Sequence, residues 1–146
     1  MEYADTSFLI SLYFADSNHR RAVSYAATTW TVPPQLPLTP FGAYEFNNTL
    51  RHLLYRGVLR SADLAFIAQR LTRDLGSGMI EERPLEAYRL IDTANRLSRQ
   101  ITPKTGTRAL DLLHVALAQI HGAKTFLTFD KNQASAAVLA GMKAAP

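Results

Sequence analysis

Four carboxylates stand in sequence contexts that could give them chemistry to do: Asp5, Glu45, Asp111 and Asp130. Asp5 closes the short β-type stretch "MEYA", and Asp130 closes "TFLTF"; in an open parallel sheet the carboxyl ends of strands line the crevice where ligands bind. Glu45 lies early in the helical stretch that follows "QLPLTP". Asp111 sits near the start of "TRALDLLHVALAQI", a run so apolar that it reads as a helix buried on most sides, with His114 on the same face. An ionised carboxylate in such surroundings is costly unless it is paired, hydrogen-bonded or metal-bound. Each acid also has a plain structural role open to it. Asp5 and Asp130 can cap the helices that follow, with Gln133 completing a capping-box-like pattern. Glu45 can head a solvated stripe of Asn48, Thr49, His52 and Arg56, and Asp111 can pair with a buried arginine. Together, however, the four describe an acidic pocket. Like charges at close range raise one another's pKa, and a divalent cation resolves that conflict. Oxygen ligands without Cys or His suit Mg²⁺ or Mn²⁺, and such an ion can activate water for in-line attack on a phosphodiester.

The elements that must carry these acids alternate between short strands and helices. "MEYA" predicts a first strand, followed by helices from Thr6 to Ala15 and from Ser17 to Thr28. "QLPLT" (35–39) predicts an extended segment. Thr39 as N-cap with Pro40 at the first helical position opens a helix to Arg56. A helix from Ser61 to Leu75 ends at "GSG", and "MIEER" predicts a strand before Pro84. Helices over Leu85–Arg99 and Thr107–His121 are separated by a Pro103/Gly106 turn. Lys124–Phe129 is the clearest strand, and a short helix and an extended "MKAA" finish the chain. This alternation predicts an α/β fold, a parallel sheet covered by helices on both faces. With 146 residues, no linker and no repeat, one domain over 1–146 is expected.

Composition narrows the class. Sixteen basic residues, twelve of them Arg, face twelve acidic ones, for a net charge of +4; arginine forks suit phosphate, which points towards nucleic acid. There is no cysteine, which excludes disulfides and thiol chemistry. No apolar run reaches the roughly 20 residues of a membrane span, and "MEYADTSFLI" lacks a signal-peptide pattern, so a cytoplasmic protein is the expectation. P-loop, dinucleotide, nucleophile-elbow and zinc-helix motifs are missing. A phosphohydrolase of the haloacid-dehalogenase type would need an acid two residues after Asp5, where Ser7 stands.

"YADTSFLI", "YEFNNTL", "RALDLLHVALA" and "FLTFDKNQ" together resemble the four signature segments of the PIN domain, and more narrowly the toxin ribonucleases of the VapC type. The resemblance spans essentially the whole chain. It implies a three-layer α/β/α sandwich with a short, mainly parallel central sheet, and Mg²⁺- or Mn²⁺-dependent endoribonuclease activity on structured RNA such as tRNA. It implies an acidic quartet of Asp5, Glu45, Asp111 and Asp130 as catalytic and metal-binding residues. Thr128 holds the hydroxyl position two before the last acid, and Thr6 is placed to orient Asp5 or a metal-bound water. His114 is expected to pack or to support a ligand. A homodimer and a small antitoxin that blocks the cleft are implied as well. Arg51, Arg56 and Arg108 are candidates for steering the RNA backbone. The chain departs from the pattern at Glu2, unusual in a central strand and a reason to expect a short one, and at Asn132 and Gln133, where some relatives carry a further acid. The alternative function is a catalytically silent PIN-like module that binds RNA or protein.

Overall fold

A computed structural model describes residues 1–146. Five short strands and seven helices follow one another as β1 (Glu2–Ala4), α1 (Thr6–Tyr13), α2 (His19–Thr29), β2 (Leu36–Leu38), α3 (Pro40–Tyr55), α4 (Ser61–Gly76), β3 (Ile80–Glu82), α5 (Ala87–Thr105), α6 (Ala109–Ile120), β4 (Thr125–Leu127), α7 (Lys131–Leu139) and β5 (Lys143–Ala145). All strand pairs are parallel. β4 lies between β1 and β5, with Tyr3 opposite Phe126 and Phe126 opposite Ala144. β2 pairs with β3 and packs beside β1 without ladder bonds to it. Proline explains that seam. The Leu36 N–H donates towards β3, so the next residue along the strand faces β1, and that residue is Pro37, which has no N–H to give.

Two apolar layers flank the sheet, and strand alternation assigns residues to them. Ala4 and Leu127 face a core built with Phe8, Leu12, Leu36, Phe46 and Ile67 on α1 to α4 and β2. Their neighbours Tyr3 and Phe126 face the opposite core, built with Leu97, Ile101, Val115 and Ala136 on α5 to α7. The expected three-layer α/β/α arrangement is therefore what forms. β1, expected to be central, is the outer strand of its ladder, and the Glu2 carboxylate accepts hydrogen bonds from Tyr25 Oη and Trp30 Nε1, which lets it remain partly buried.

The helix boundaries lie within two residues of expectation except one. The Pro103/Gly106 turn does not break the chain at Arg99: α5 runs through Pro103 to Thr105. Leu90, Leu97 and Ile101 keep one face of α5 in the core. That packing carries the helix past a proline near its end, where the lost donor costs a single bond. Gly106, at φ 66°, then terminates it in the left-handed conformation that glycine adopts without penalty. The strand expected over Lys124–Phe129 is shorter, Thr125–Leu127, because the N–H groups of Phe129 and Asp130 donate to Ser7 Oγ and Thr128 Oγ1 instead of to a neighbouring strand. No helix is long and apolar enough to cross a membrane.

Candidate active site

Asp5 and Asp130 leave the sheet at the carboxyl ends of neighbouring strands, and each caps the next helix. Asp5 accepts from the Phe8 N–H at 2.8 Å; Asp130 accepts from the Asn132 and Gln133 N–H groups at 2.7 and 2.9 Å. Their environments differ. Asp5 is fully buried, and its two carboxylate oxygens also accept from Ser7 Oγ and, at 2.6 Å, from Thr128 Oγ1. Burial drives its pKa above the ordinary carboxylate value, against the opposing pull of Thr128, Phe8 N–H, His114 and Ser7. Asp130 is only partly buried. The Thr128 hydroxyl joins the two acids: it donates to Asp5 and accepts from the Asp130 N–H at 2.9 Å.

Glu45 reaches the same rim from the second turn of α3. Thr39 caps that helix by accepting from the Gly42 N–H, with Pro40 at its start. Glu45 Oε2 accepts from Thr6 Oγ1 and from His114 Nε2 at 2.6 Å. On the other side of the ring, His114 Nδ1 is 2.8 Å from the Tyr3 hydroxyl. His114 therefore bridges the Tyr3 hydroxyl and the Glu45 carboxylate through its two ring nitrogens, so the polar atoms of both ends are satisfied. Burial alone would raise the Glu45 pKa, but the bonds from His114 and Thr6 outweigh it and hold the carboxylate below its usual value. Thr6 thus serves Glu45 rather than Asp5.

Asp111 is the outlying member. In the first turn of α6 it faces Arg108 Nε at 3.1 Å and, more loosely, Gln133 Nε2 at 3.4 Å. The Arg108 side chain is 80 % exposed and that of Asp111 only 14 %. Gln133 therefore spans two acids, its backbone N–H on Asp130 and its side-chain amide on Asp111, while its Oε1 is buried without a hydrogen-bond partner. The Gln133 side chain does not close a capping box; it crosses to α6 instead. Of the three arginine candidates, Arg108 adjoins the acids. Arg51 borders the groove between α3 and α4, and Arg56 caps the far end of α3, eleven residues and ~16 Å of helix from Glu45.

The family follows from the whole chain. A sequence model described as the PIN domain matches residues 3–139. The chain belongs to the PIN domain family. Among solved structures it is similar to FitAcB from Neisseria gonorrhoeae (18% identity, TM-score 0.69, covering 100% of this chain and 97% of that one). It is also similar to VapC20 of Mycobacterium tuberculosis, a Sarcin-Ricin loop cleaving toxin (22%, 0.61, 93% and 95%), and to PAE2754 from Pyrobaculum aerophilum (17%, 0.60, 98% and 89%). At these identities the likeness is one of fold. No curated protein matches the sequence.

The donors collected at this PIN-domain rim are carboxylate, hydroxyl and amide oxygens, the kind that Mg²⁺ and Mn²⁺ take. No three acidic or imidazole side chains converge closely enough to form a ready-made cage. The set fits a cation that takes one or two carboxylates and completes its shell with water and substrate oxygens, as Mg²⁺ commonly does. Three contributors were not legible as site residues in the sequence: Tyr3, Ser7 and Gln133. Of these, only Gln133 carried a signal, its spacing from Asp130, and that spacing reads equally well as helix capping.

Proposed function

We propose that this protein is a metal-dependent endoribonuclease, the toxin of a toxin–antitoxin pair, acting on structured RNA such as tRNA and held inactive by a small antitoxin. The observation that carries this reading is Asp5. A fully buried carboxylate with no cationic side chain bonded to it is held at a strand end by hydroxyl and backbone donors, a costly arrangement that a bound cation would offset. Family membership and the fold shared with a toxin that cleaves RNA support the same reading.

Asp5, Glu45, Asp111 and Asp130 would hold Mg²⁺ or Mn²⁺, one or two of them directly and the others through water, and the ion when bound supplies charge neutralisation and a water of lowered pKa. The chain's own residues do the remaining positioning. Thr128 and Ser7 fix the orientation of both Asp5 oxygens. His114, steadied by Tyr3, fixes Glu45, which stays ionised at neutral pH and can orient a water by accepting its hydrogen. Arg108, mostly exposed beside Asp111, is placed to meet an RNA phosphate, and its pairing with Asp111 gives way when a phosphate competes. The exposed arginines make RNA binding salt-dependent through counterion release. A homodimer in the cytoplasm is the accompanying expectation, its oligomeric state to be read by light scattering of the purified protein.

The test is cleavage of a mixed tRNA pool with Mg²⁺ or Mn²⁺, beside an EDTA lane and an identically purified Asp111→Asn protein. Discrete metal-dependent fragments that disappear in the variant are the expected result. Equal cleavage by both proteins would refute the assignment. One observation favours a second reading, a silent RNA- or protein-binding module: Asp111 is already engaged by Arg108 and Gln133. Metal titration separates the two readings, because a silent module shows no metal affinity dependent on Asp5 and Asp111.

A further inference from the structure

At the opposite end of α6 from Asp111, ten residues and ~15 Å along the helix, the chain builds a second polar pocket. Its cavity of about 150 Å³ lies between the connector after β3, the start of α5 and the end of α6. Three side chains with N–H groups line it: Arg83, Arg89 and His121. Arg83 Nε and His121 Nε2 are both buried without a hydrogen-bond partner, which is rare because a buried polar atom left unbonded is costly. Arg83 binds Glu81 through Nη2 at 2.7 Å, so its Nε is left over. Glu86, the acid in the lining, contacts Arg89 at 3.5 Å with both side chains more than half exposed, a pair that contributes little and is readily displaced. The first turn of α5 begins here with no side-chain cap from Glu86. Its free N–H groups add to the positive potential.

We propose that this pocket binds a phosphate group. A tetrahedral dianion offers several acceptor oxygens to the two guanidinium groups and the imidazole, and satisfies both orphaned nitrogens. The cavity has room for a phosphate together with several waters. The local field has the required sign: after burial, the charges of Arg83 and Arg89 hold His121 below its ordinary pKa, and Glu86 only partly opposes them. The phosphate can belong to RNA or to a small free molecule. The pocket does not depend on the acidic rim being a nuclease.

The experiment is a titration of ¹⁵N-labelled protein with inorganic phosphate in EDTA, following the His121 ring signals against sodium chloride at matched ionic strength. A saturable movement of those signals is expected, with an upward shift of the His121 titration midpoint, because a bound anion favours the imidazolium. Arg83→Gln and Arg89→Gln should each weaken the response about tenfold. Arg89 is exposed, so its variant reports even if Arg83→Gln unfolds. A linear response, a response equalled by chloride, or one untouched by Arg89→Gln overturns the proposal. Short RNAs with and without a 5′-phosphate then identify the source. Movement with both indicates backbone phosphate, movement with the phosphorylated RNA alone indicates a strand end, and movement with neither indicates a small phosphate.

Discussion

The acidic rim has two walls of different construction. The inner wall, Asp5 with Glu45, is set by buried or half-buried neighbours: Tyr3, Thr6, Ser7, His114 and Thr128. The outer wall, Asp111 with Asp130, is held by a helix cap, an exposed arginine and one glutamine. In the inner wall the bonds from Thr128 and the Phe8 N–H to Asp5 are made in a dry setting, where losing a partner costs the full desolvation of what remains, and those to Glu45 are part-buried. In the outer wall Asp130 is partly buried and the cation paired with Asp111, Arg108, is 80 % exposed and screened, so that pairing is weak and exchangeable. The inner wall is a preorganised fixture, and the outer wall is the part that a substrate or ion can rearrange.

Asp5→Asn tests this contrast most severely. Cleavage should fall by about a thousandfold or more, since a ligand carboxylate is lost. The same change relieves a buried charge, so the melting temperature should hold or rise by a few degrees. A large drop in melting temperature would mean that Asp5 is structural. Next in size, His114→Ala should cost about 2–4 kcal/mol in urea denaturation, because it opens a cavity and strands both Tyr3 and Glu45. A loss under about 0.5 kcal/mol would place His114 outside any network.

Protonation separates the two acids of the inner wall, with opposite signs. Glu45 has a lowered folded pKa, so its stabilisation is present above its unfolded value, near about pH 4.3, and is lost as pH falls through the folded value. Asp5 has a raised folded pKa, so it stabilises the fold only when protonated, and that contribution disappears as pH rises through the folded value. The stability gap between wild type and Glu45→Gln should therefore shrink on acidification below about pH 4. The advantage of Asp5→Asn over wild type should grow as pH rises towards neutrality. Parallel slopes for the two variants would contradict the assignment. Smallest of all, Arg108→Ala should change stability by less than about 0.5 kcal/mol, yet lower RNA affinity and reduce the salt slope by about one.

Much of this was legible in the sequence because it depends on local rules. The Thr39-Pro40 helix start, the strand-end positions of Asp5 and Asp130, and the apolar run around Asp111 follow from neighbours a few residues apart. The end of α5 did not, because Pro103 marks a break only where no core face carries the helix onward. Tyr3, His114 and Glu45 did not either: their bonds join residues 111 and 69 positions apart, and nothing local distinguishes His114 from a packing histidine. Gln133 reads locally as the third residue after a cap, and only the packing of α7 against α6 turns its side chain to Asp111.

The sequence by itself determined which residues are acids, which of them follow strands, and which stretches alternate between strand and helix, since these are set by residue type and short-range periodicity. The tertiary structure decided which acids are dry and which remain wet. That depends on which elements cover them, and it is why two strand-end aspartates with the same capping role, Asp5 and Asp130, differ so widely in environment.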